Sequence, residues 1–242
     1  MNTDPIEEAA NEIIQCSKLT FLTGAGVSTP SGIPDYRSLS GVYQGIERPE
    51  YLLSEQALVH EPEKFYSFIK NLYHPTAEPN IIHLEMAKMA KKKEVWVVSQ
   101  NIDGLHEKAG SRQLVNFHGN LYHCYCRKCY KQVDWKDYLK SDKHLECGGQ
   151  IRPNVVLYGE GFQEEVINEA AFAVSQAELI VVIGTSFQVH PFCDLIQYKS
   201  PNAKLLVINQ TPVYLSDEHT FVQADGAEVF KKIYELGADY DN

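Results

Sequence analysis

Four side chains able to hold a soft metal ion fall in two pairs, Cys126-x-x-Cys129 and His144-x-x-Cys147, joined by a polar, lysine-rich connector. Two residues between ligands is the spacing of a zinc knuckle, and tetrahedral zinc accepts three thiolates and one imidazole. Cys124 stands two positions before the first pair and competes with His144 for the fourth place. So polar a connector has little core of its own, and an ion explains its integrity better than free thiols beside a chance histidine. A second set of reactive types is scattered along the chain but always in one setting. Gly24-Ala25-Gly26, Gln100-Asn101-Ile102-Asp103, His118-Gly119, Gly184-Thr185-Ser186 and Asn209-Gln210 each follow directly on a short apolar run. Glycines let a backbone approach a phosphate, amides and a carboxylate orient a ligand, and an imidazole moves protons near neutral pH. Each group has an ordinary alternative: a tight turn, a helix cap at Asn101 or Asp103, a satisfied loop histidine at position 118. Five of them on one edge are harder to reach by coincidence.

The elements that must carry these groups follow from periodicity. Apolar runs at 19–23, 95–99, 114–117, 155–157, 179–183 and 205–208 read as buried parallel strands. Helices are expected at 4–17, 61–71, 80–93, 163–176, 190–199 and 226–237, with 38–60 irregular. In the first helix Asp4 caps, Pro5 suits the first turn, and Ile6, Ala9, Ala10, Ile13 and Ile14 share one face. Lys91-Lys92-Lys93 reads as a solvated last turn matched to the dipole of its own helix. Alternating strands and helices predict an α/β fold, a doubly wound parallel Rossmann-like sheet, with ligands beyond the carboxyl ends of the strands. One stretch departs from that pattern. Thr29 stands where a dinucleotide fingerprint has its third glycine, and Pro30, Gly32 and Pro34 break the helix that should start there. The loop then ends in Asp35-Tyr36-Arg37, an acid, an aromatic ring and a cation suited to covering a ligand.

Length and charge set the outer limits. A chain of 242 residues is one large domain, or one with insertions. Its formal charge of −10 argues against nucleic acid as a partner. No apolar run reaches the roughly 18 residues of a membrane span, and the first residues carry no secretion signal, so a cytoplasmic protein is expected. Six cysteines in that setting mean metal ligands or free thiols rather than disulfides.

Taken together the motifs resemble the sirtuin family of NAD-dependent protein deacylases, across nearly the whole chain. The resemblance runs through Gly24 to Arg37, Gln100-Asn-Ile-Asp-Gly-Leu-His106, His118-Gly119, the paired zinc ligands, Ile151-Arg-Pro153, Gly159-Glu160, Gly184-Thr-Ser186 and Asn209. The proline in Ser28-Thr29-Pro30-Ser31 is similar to the bacterial branch. The resemblance implies an NAD-binding Rossmann-like domain from 1–29, 80–121 and 153–242. It implies a small domain made of a helical insertion, 30–79 with the cofactor loop, and a zinc-binding insertion, 122–152. Acyl-lysine peptides would bind in the cleft between them, with NAD as co-substrate and one structural Zn2+; the oligomeric state stays open, a monomer included.

The same resemblance implies roles. Asp103 would hold the nicotinamide carboxamide, Asn101 would position the ribose and a water, and His118 would take a proton from the ribose hydroxyls. Gly24, Ala25, Gly26, Thr29, Arg37, Gly184, Thr185 and Ser186 would cradle the pyrophosphate and its riboses. Ile33, Pro34, Asp35, Tyr36, Gln100, Ile102, Gln210, Asp225 and Gly226 would complete the cofactor site, and Asn209 would reach the adenosine ribose. Tyr66, Ile69, Val156, Leu157, Tyr158, Gly159, Glu160 and Val189 would line the substrate site. The products would be nicotinamide, O-acyl-ADP-ribose and free lysine. Departures from the family pattern are Tyr36 in place of Phe, His144 in place of a third cysteine, and Leu157-Tyr158 before Gly159. Ile69 falls where branches that remove acidic acyl groups carry an arginine, so an uncharged acyl group, acetyl above all, is expected. Competing readings are a mono-ADP-ribosyltransferase, a non-catalytic NAD-binding module, and, more distantly, a dehydrogenase.

Overall fold

The computed structural model describes residues 4–34 and 49–237. Strands β1 (Lys18–Thr23), β2 (Glu94–Ser99), β3 (Gln113–Asn116), β7 (Leu179–Ile183), β8 (Lys204–Asn209) and β9 (Thr220–Gln223) form one sheet in the order β3-β2-β1-β7-β8-β9. Every neighbouring pair is parallel. The chain builds outward from β1 to β3, then restarts on the other side of β1 with β7. The switch point therefore lies between the carboxyl ends of β1 and β7, where an open α/β sheet leaves a crevice. All five residues of β7 are buried, as are the last five of β1, which is why their runs are uniformly apolar or small.

Helices cover both faces. α1 (Pro5–Gln15) begins at Asp4, whose carboxylate accepts from the Ile6 N–H at 3.0 Å, and buries Ala9, Ala10 and Ile13. It packs with α5 (Ile81–Met89) and α9 (Gly226–Glu235), both opened by capping boxes, at Asn80 with His83 and at Asp225 with Glu228. The opposite face carries α8 (Glu164–Gln176) and the 3-10 turn Cys193–Tyr198. Lys93 belongs to neither a solvated end nor its own helix. Its ammonium donates to the carbonyls of Ile13, Ile14 and Cys16 at 2.6, 3.1 and 3.1 Å, closing the carboxyl end of α1 instead.

A second, antiparallel sheet has the order β5-β4-β6, from β4 (Gly119–Cys126), β5 (Gln132–Asp134) and β6 (Ile151–Val155). This corrects the expected parallel strand at 155–157. The apolar run there ends a strand that pairs antiparallel with β4, and Leu157 is buried in a separate core. That core joins α2 (Pro49–Leu52), α3 (Glu55–His60) and α4 (Pro62–Lys70) to α7 (Trp135–Lys140) through Leu58, Phe65, Ile69, Leu121 and Tyr138. Two short helices thus occupy part of the stretch expected to be irregular, the second capped by Ser54, whose hydroxyl accepts from Ala57 at 3.1 Å. A third, α6 (Leu105–Lys108), follows Asp103.

Candidate active site and metal centre

At the switch point the backbones of two loops touch. The Gly26 N–H donates to the Gly184 carbonyl at 2.8 Å, and a Cβ on Gly26 would lie 2.7 Å from the Gly184 Cα. No side chain fits between them, so the two glycines are a packing requirement as well as an opening toward a ligand. Ser28, which sequence reasoning passed over, is the hub of this rim. Its hydroxyl donates to Asp103 at 2.7 Å and accepts from the Asn101 amide at 3.0 Å. Asn101 donates also to the Gly24 carbonyl at 3.0 Å, and Asp103 accepts from the Leu105 N–H at 2.9 Å, at the start of α6, while it faces the rim. Burial raises the Asp103 carboxyl above its usual range, opposed by the two donors it accepts from.

His118 sits one loop away. Its Nδ1 is 3.0 Å from the Gln100 carbonyl, an acceptor only, so Nδ1 carries the hydrogen and Nε2 keeps the lone pair. Burial lowers the imidazole, with that carbonyl pulling the other way. Phe117, Phe162 and Phe192 pack around its ring at centroid separations of 5.5, 5.6 and 6.4 Å. Gln100 in turn donates to Thr185 at 3.1 Å, linking the histidine to the glycine rim. These rings have no local motif, and Ser28, though within the Gly24–Arg37 motif, carries no mark of its role; a polar residue two after Gly26 and aromatics near prolines and glycines are the faint signals they leave.

The remaining expected positions fall in two places. Thr29 donates to the Gly26 carbonyl at 3.0 Å, and Ile33 and Pro34 lie just beyond it. Asn209 turns onto Thr211, Gln210 donates to Asp225 at 3.0 Å, and Gly226 packs on Ile183, closing the far end of the rim. Ala25, Ile102, Ser186 and Val189 belong to the same strand-end loops. The expected contacts of Asp35, Tyr36 and Arg37 lie outside the described residues.

The stretch 156–160 ties the loop between β3 and β4 to the turn between α2 and α3. Val156 donates to the His118 carbonyl at 2.9 Å, and Tyr158 pairs with Leu53 and Glu55. Glu160 accepts from the Leu157 N–H at 2.9 Å and forms a two-toothed ion pair with buried Arg152. That partnership holds the Glu160 carboxyl low despite partial burial. Gly159 takes the turn with a positive φ. Ile69 and Leu157 lie within one apolar core, and Tyr66 packs at its edge with its hydroxyl donating to the Tyr138 carbonyl at 2.8 Å.

The metal centre resolves the choice of fourth ligand. Ligand atoms of Cys126, Cys129, His144 and Cys147 all lie within 4.8 Å of one another. Separations are 3.5 Å for Cys126–Cys147, 3.4 Å for Cys129–His144 and 3.2 Å for His144–Cys147. Corners of a tetrahedral zinc site at normal bond lengths stand roughly 3.5–3.8 Å apart, so the set fits a structural ion with slight expansion. A Cβ on Gly149 would lie 2.6 Å from the Cys126 sulfur, which makes the glycine part of the cradle. Cys124 points away, buried 3.5 Å from both the Tyr73 hydroxyl and the Leu121 carbonyl.

A glycine-lined switch point beside a buried amide, carboxyl and imidazole is the layout of an α/β enzyme that uses a dinucleotide. The chain belongs to the Sir2, or sirtuin, family, whose model matches residues 24–191. It is 59% identical over 226 residues to an NAD-dependent protein deacetylase of Enterococcus faecalis, covering 93% of this chain and 95% of that one. It is 52% identical over 225 residues to one from Listeria monocytogenes serovar 1/2a, covering 92% and 98%. A solved Sir2 structure holding deacetylated p53 peptide and 3′-O-acetyl ADP ribose matches with a TM-score of 0.85 and 33% identity, over 96% of this chain and 98% of that chain.

Proposed function

We infer that this protein removes acetyl and other uncharged acyl groups from protein lysine side chains, consuming NAD and giving nicotinamide, O-acyl-ADP-ribose and free lysine. The observation that carries this reading is the Nε2 lone pair of His118, set beside the glycine rim and the buried Asn101–Ser28–Asp103 network. NAD supplies nicotinamide as a leaving group and a ribose able to receive the acyl group.

The chain's own residues supply position and proton transfer. The Gly24–Gly26 and Gly184–Ser186 turns approach the pyrophosphate with backbone N–H groups. Asp103, desolvated and already oriented by Ser28, accepts from the carboxamide; Asn101 sets the ribose and a water. His118, neutral through burial, takes a ribose hydroxyl proton at Nε2. Thr29, Ile33, Pro34, Asp35, Tyr36 and Arg37 cover the cofactor, and Asn209, Gln210, Asp225 and Gly226 face its adenosine end.

An acyl-lysine peptide lies between the 156–160 bridge and the 186–189 loop, adding a strand to both. The apolar surroundings of Ile69 and Leu157 give no counter-charge, and a carboxylate placed there unpaired costs several kcal/mol. Zinc stays structural: its ligands are used up on the ion, and none belongs to the rim. Among the described residues no helix is long and apolar enough to cross a membrane. We place the protein in the cytoplasm, a reading supported by six cysteines none of which is in a disulfide.

Incubation with NAD and an acetyl-lysine peptide should release nicotinamide and O-acetyl-ADP-ribose in equal amounts. Radiolabel from the adenylate of NAD accumulating on protein, with acetyl groups retained, would overturn the deacetylase in favour of ADP-ribosyl transfer. The charge argument fails if the succinyl form of the same peptide reacts faster than the acetyl form.

A further inference from the structure

The segment from His190 into the 3-10 turn Cys193–Tyr198 carries a second cluster of ligand types that the deacetylase reaction does not use. His190, Cys193 and Asp194 present one donor atom each, all within 4.8 Å of one another. Nδ1 of His190 lies 2.8 Å from the Asp194 carboxylate and 3.4 Å from the Cys193 sulfur. The sulfur is 4.0 Å from the other Asp194 oxygen.

A cysteine, a histidine and an aspartate so close could form either a nucleophile with its base or a metal site, and the geometry separates the two. A relay needs the thiol on one ring nitrogen and the carboxylate on the other, so that a proton passes across the imidazole. Here sulfur and carboxylate converge on the same nitrogen. That is the arrangement of three ligands around a common centre.

The surroundings set the kind of site. His190 and Asp194 side chains are 73% and 46% exposed, unlike the knuckle ligands, so solvent reaches the cluster. A surface hollow of about 410 Å³ adjoins it, lined by Phe187, Gln188, Ile196, Tyr214, Leu215 and Ser216. Three protein ligands with an open side is the donor count of an exchangeable or solvent-coordinated ion rather than a closed structural one. Thiolate, imidazole and carboxylate together select a late first-row divalent ion over magnesium or calcium.

We propose that His190, Cys193 and Asp194 form a second, exchangeable binding site for a late first-row divalent metal ion, zinc or its neighbours. Cobalt(II) is the probe, because a cobalt–thiolate bond gives an intense near-ultraviolet charge-transfer band and zinc gives none. Titrating the zinc-loaded full chain with cobalt should give that band with one equivalent bound, while knuckle zinc stays bound as measured by elemental analysis. Cys193→Ser should abolish the band. His190→Ala, whose exposed side chain is no part of the core, should weaken cobalt binding by roughly tenfold or more, at least the loss seen for outer-sphere partners. No cobalt–thiolate band in wild type would overturn the site. A band that survives Cys193→Ser, or comes with loss of zinc, would place the cobalt at the knuckle and overturn it equally. Undiminished affinity in His190→Ala would remove the histidine and with it the ligand set.

Discussion

At the strand-end rim the polar side chains satisfy one another. Ser28 donates to Asp103, Asn101 donates to Ser28 and Gly24, and Gln100 reaches Thr185, so the arrangement stands before any ligand arrives. At the zinc knuckle the donors instead face one another across 3.2–3.5 Å, thiol to thiol and thiol to imidazole. Such contacts hold little by themselves, and an ion in their midst accounts for the geometry. The rim is organised by the main core and free to do chemistry. The knuckle takes its order from the metal and leaves no donor over for chemistry.

Two tryptophans allow this contrast to be read separately, since Trp96 lies in the parallel sheet and Trp135 begins α7 beside the small core. The largest effect should come from Cys129→Ala. Structural zinc sites bind with apparent energies of about 10 kcal/mol or more, so stoichiometric zinc should be lost and the Trp135 signal should melt early. Trp96 should keep its transition; if both signals collapse together, the two regions are one cooperative unit and the contrast is void. His144→Ala should lose the metal as well, and Cys124→Ser should retain it.

Next comes His118→Ala, which should lower kcat/KM by roughly 10²–10⁴, about 3–5 kcal/mol of barrier. Neither tryptophan transition should move. Exchange of labelled nicotinamide into NAD should continue, because leaving-group departure needs no base in this scheme; loss of exchange in a folded variant would make His118 a binding residue. In the wild type only neutral His118 can accept a proton, and its lowered pKa keeps it neutral further into acid. The acid limb of kcat/KM should therefore lie below the value near 6.5 of an ordinary histidine.

Acid should then divide the two regions by stability. His83 is fully buried and its imidazole is held down to about 4 by desolvation; His106, 4.6 Å away, lies well below its ordinary value for the same reason and then by the His83 charge. Unfolding restores both to normal, so between about 6.5 and 4 the unfolded chain binds the extra protons. Stability falls as pH drops through that window, by about 3 kcal/mol for His83 alone. The Trp96 denaturation midpoint of a Trp135→Phe chain should fall between pH 7 and 4.5, and less steeply in His83→Gln. Equal slopes would acquit the histidine.

The smallest effect expected is from Gly26→Ala. The new methyl would meet Gly184 backbone at 2.7 Å, and relief should cost about 1–3 kcal/mol, seen by Trp96 and not Trp135. NAD affinity, by calorimetry, should fall with it. A variant as stable as wild type would show the loop contact to be slack.

Legibility followed burial. β1, β2, β7 and β8 are interior strands whose uniform apolar runs could hardly be anything else, and the groups at their ends were found with them. β9 was not, because Thr220-Phe-Val-Gln223 is an edge strand with one buried residue and reads as a loop. The run at 155–157 was assigned to the wrong sheet for the opposite reason: its apolar residues are buried, but in the small core, and a short run carries no mark of strand direction. Lys93 was misread because its partners are carbonyls of α1, far off in sequence, and a lysine run looks the same whether solvated or capping. The knuckle was legible to the ligand pairs, yet the exclusion of Cys124 needed the antiparallel register that turns its sulfur into the core. Ser28 was hidden for a similar reason, since its two partners arrive from β2's loop and not from its own.

The position of β1 at the middle of the parallel sheet also bears on how the chain assembles during synthesis. Leu19 pairs with Val95 on one side and with Leu179 on the other, so the central strand is made early and its second neighbour late. Until β7 emerges, the edge of β1 that will meet it presents unpaired amides on a strand made almost wholly of buried residues. Such an edge is a template for another chain, and closing it demands a contact of very long sequence separation. Slow translation between residues 100 and 179 would prolong that interval, and chaperone dependence or aggregation of nascent chains should peak within it.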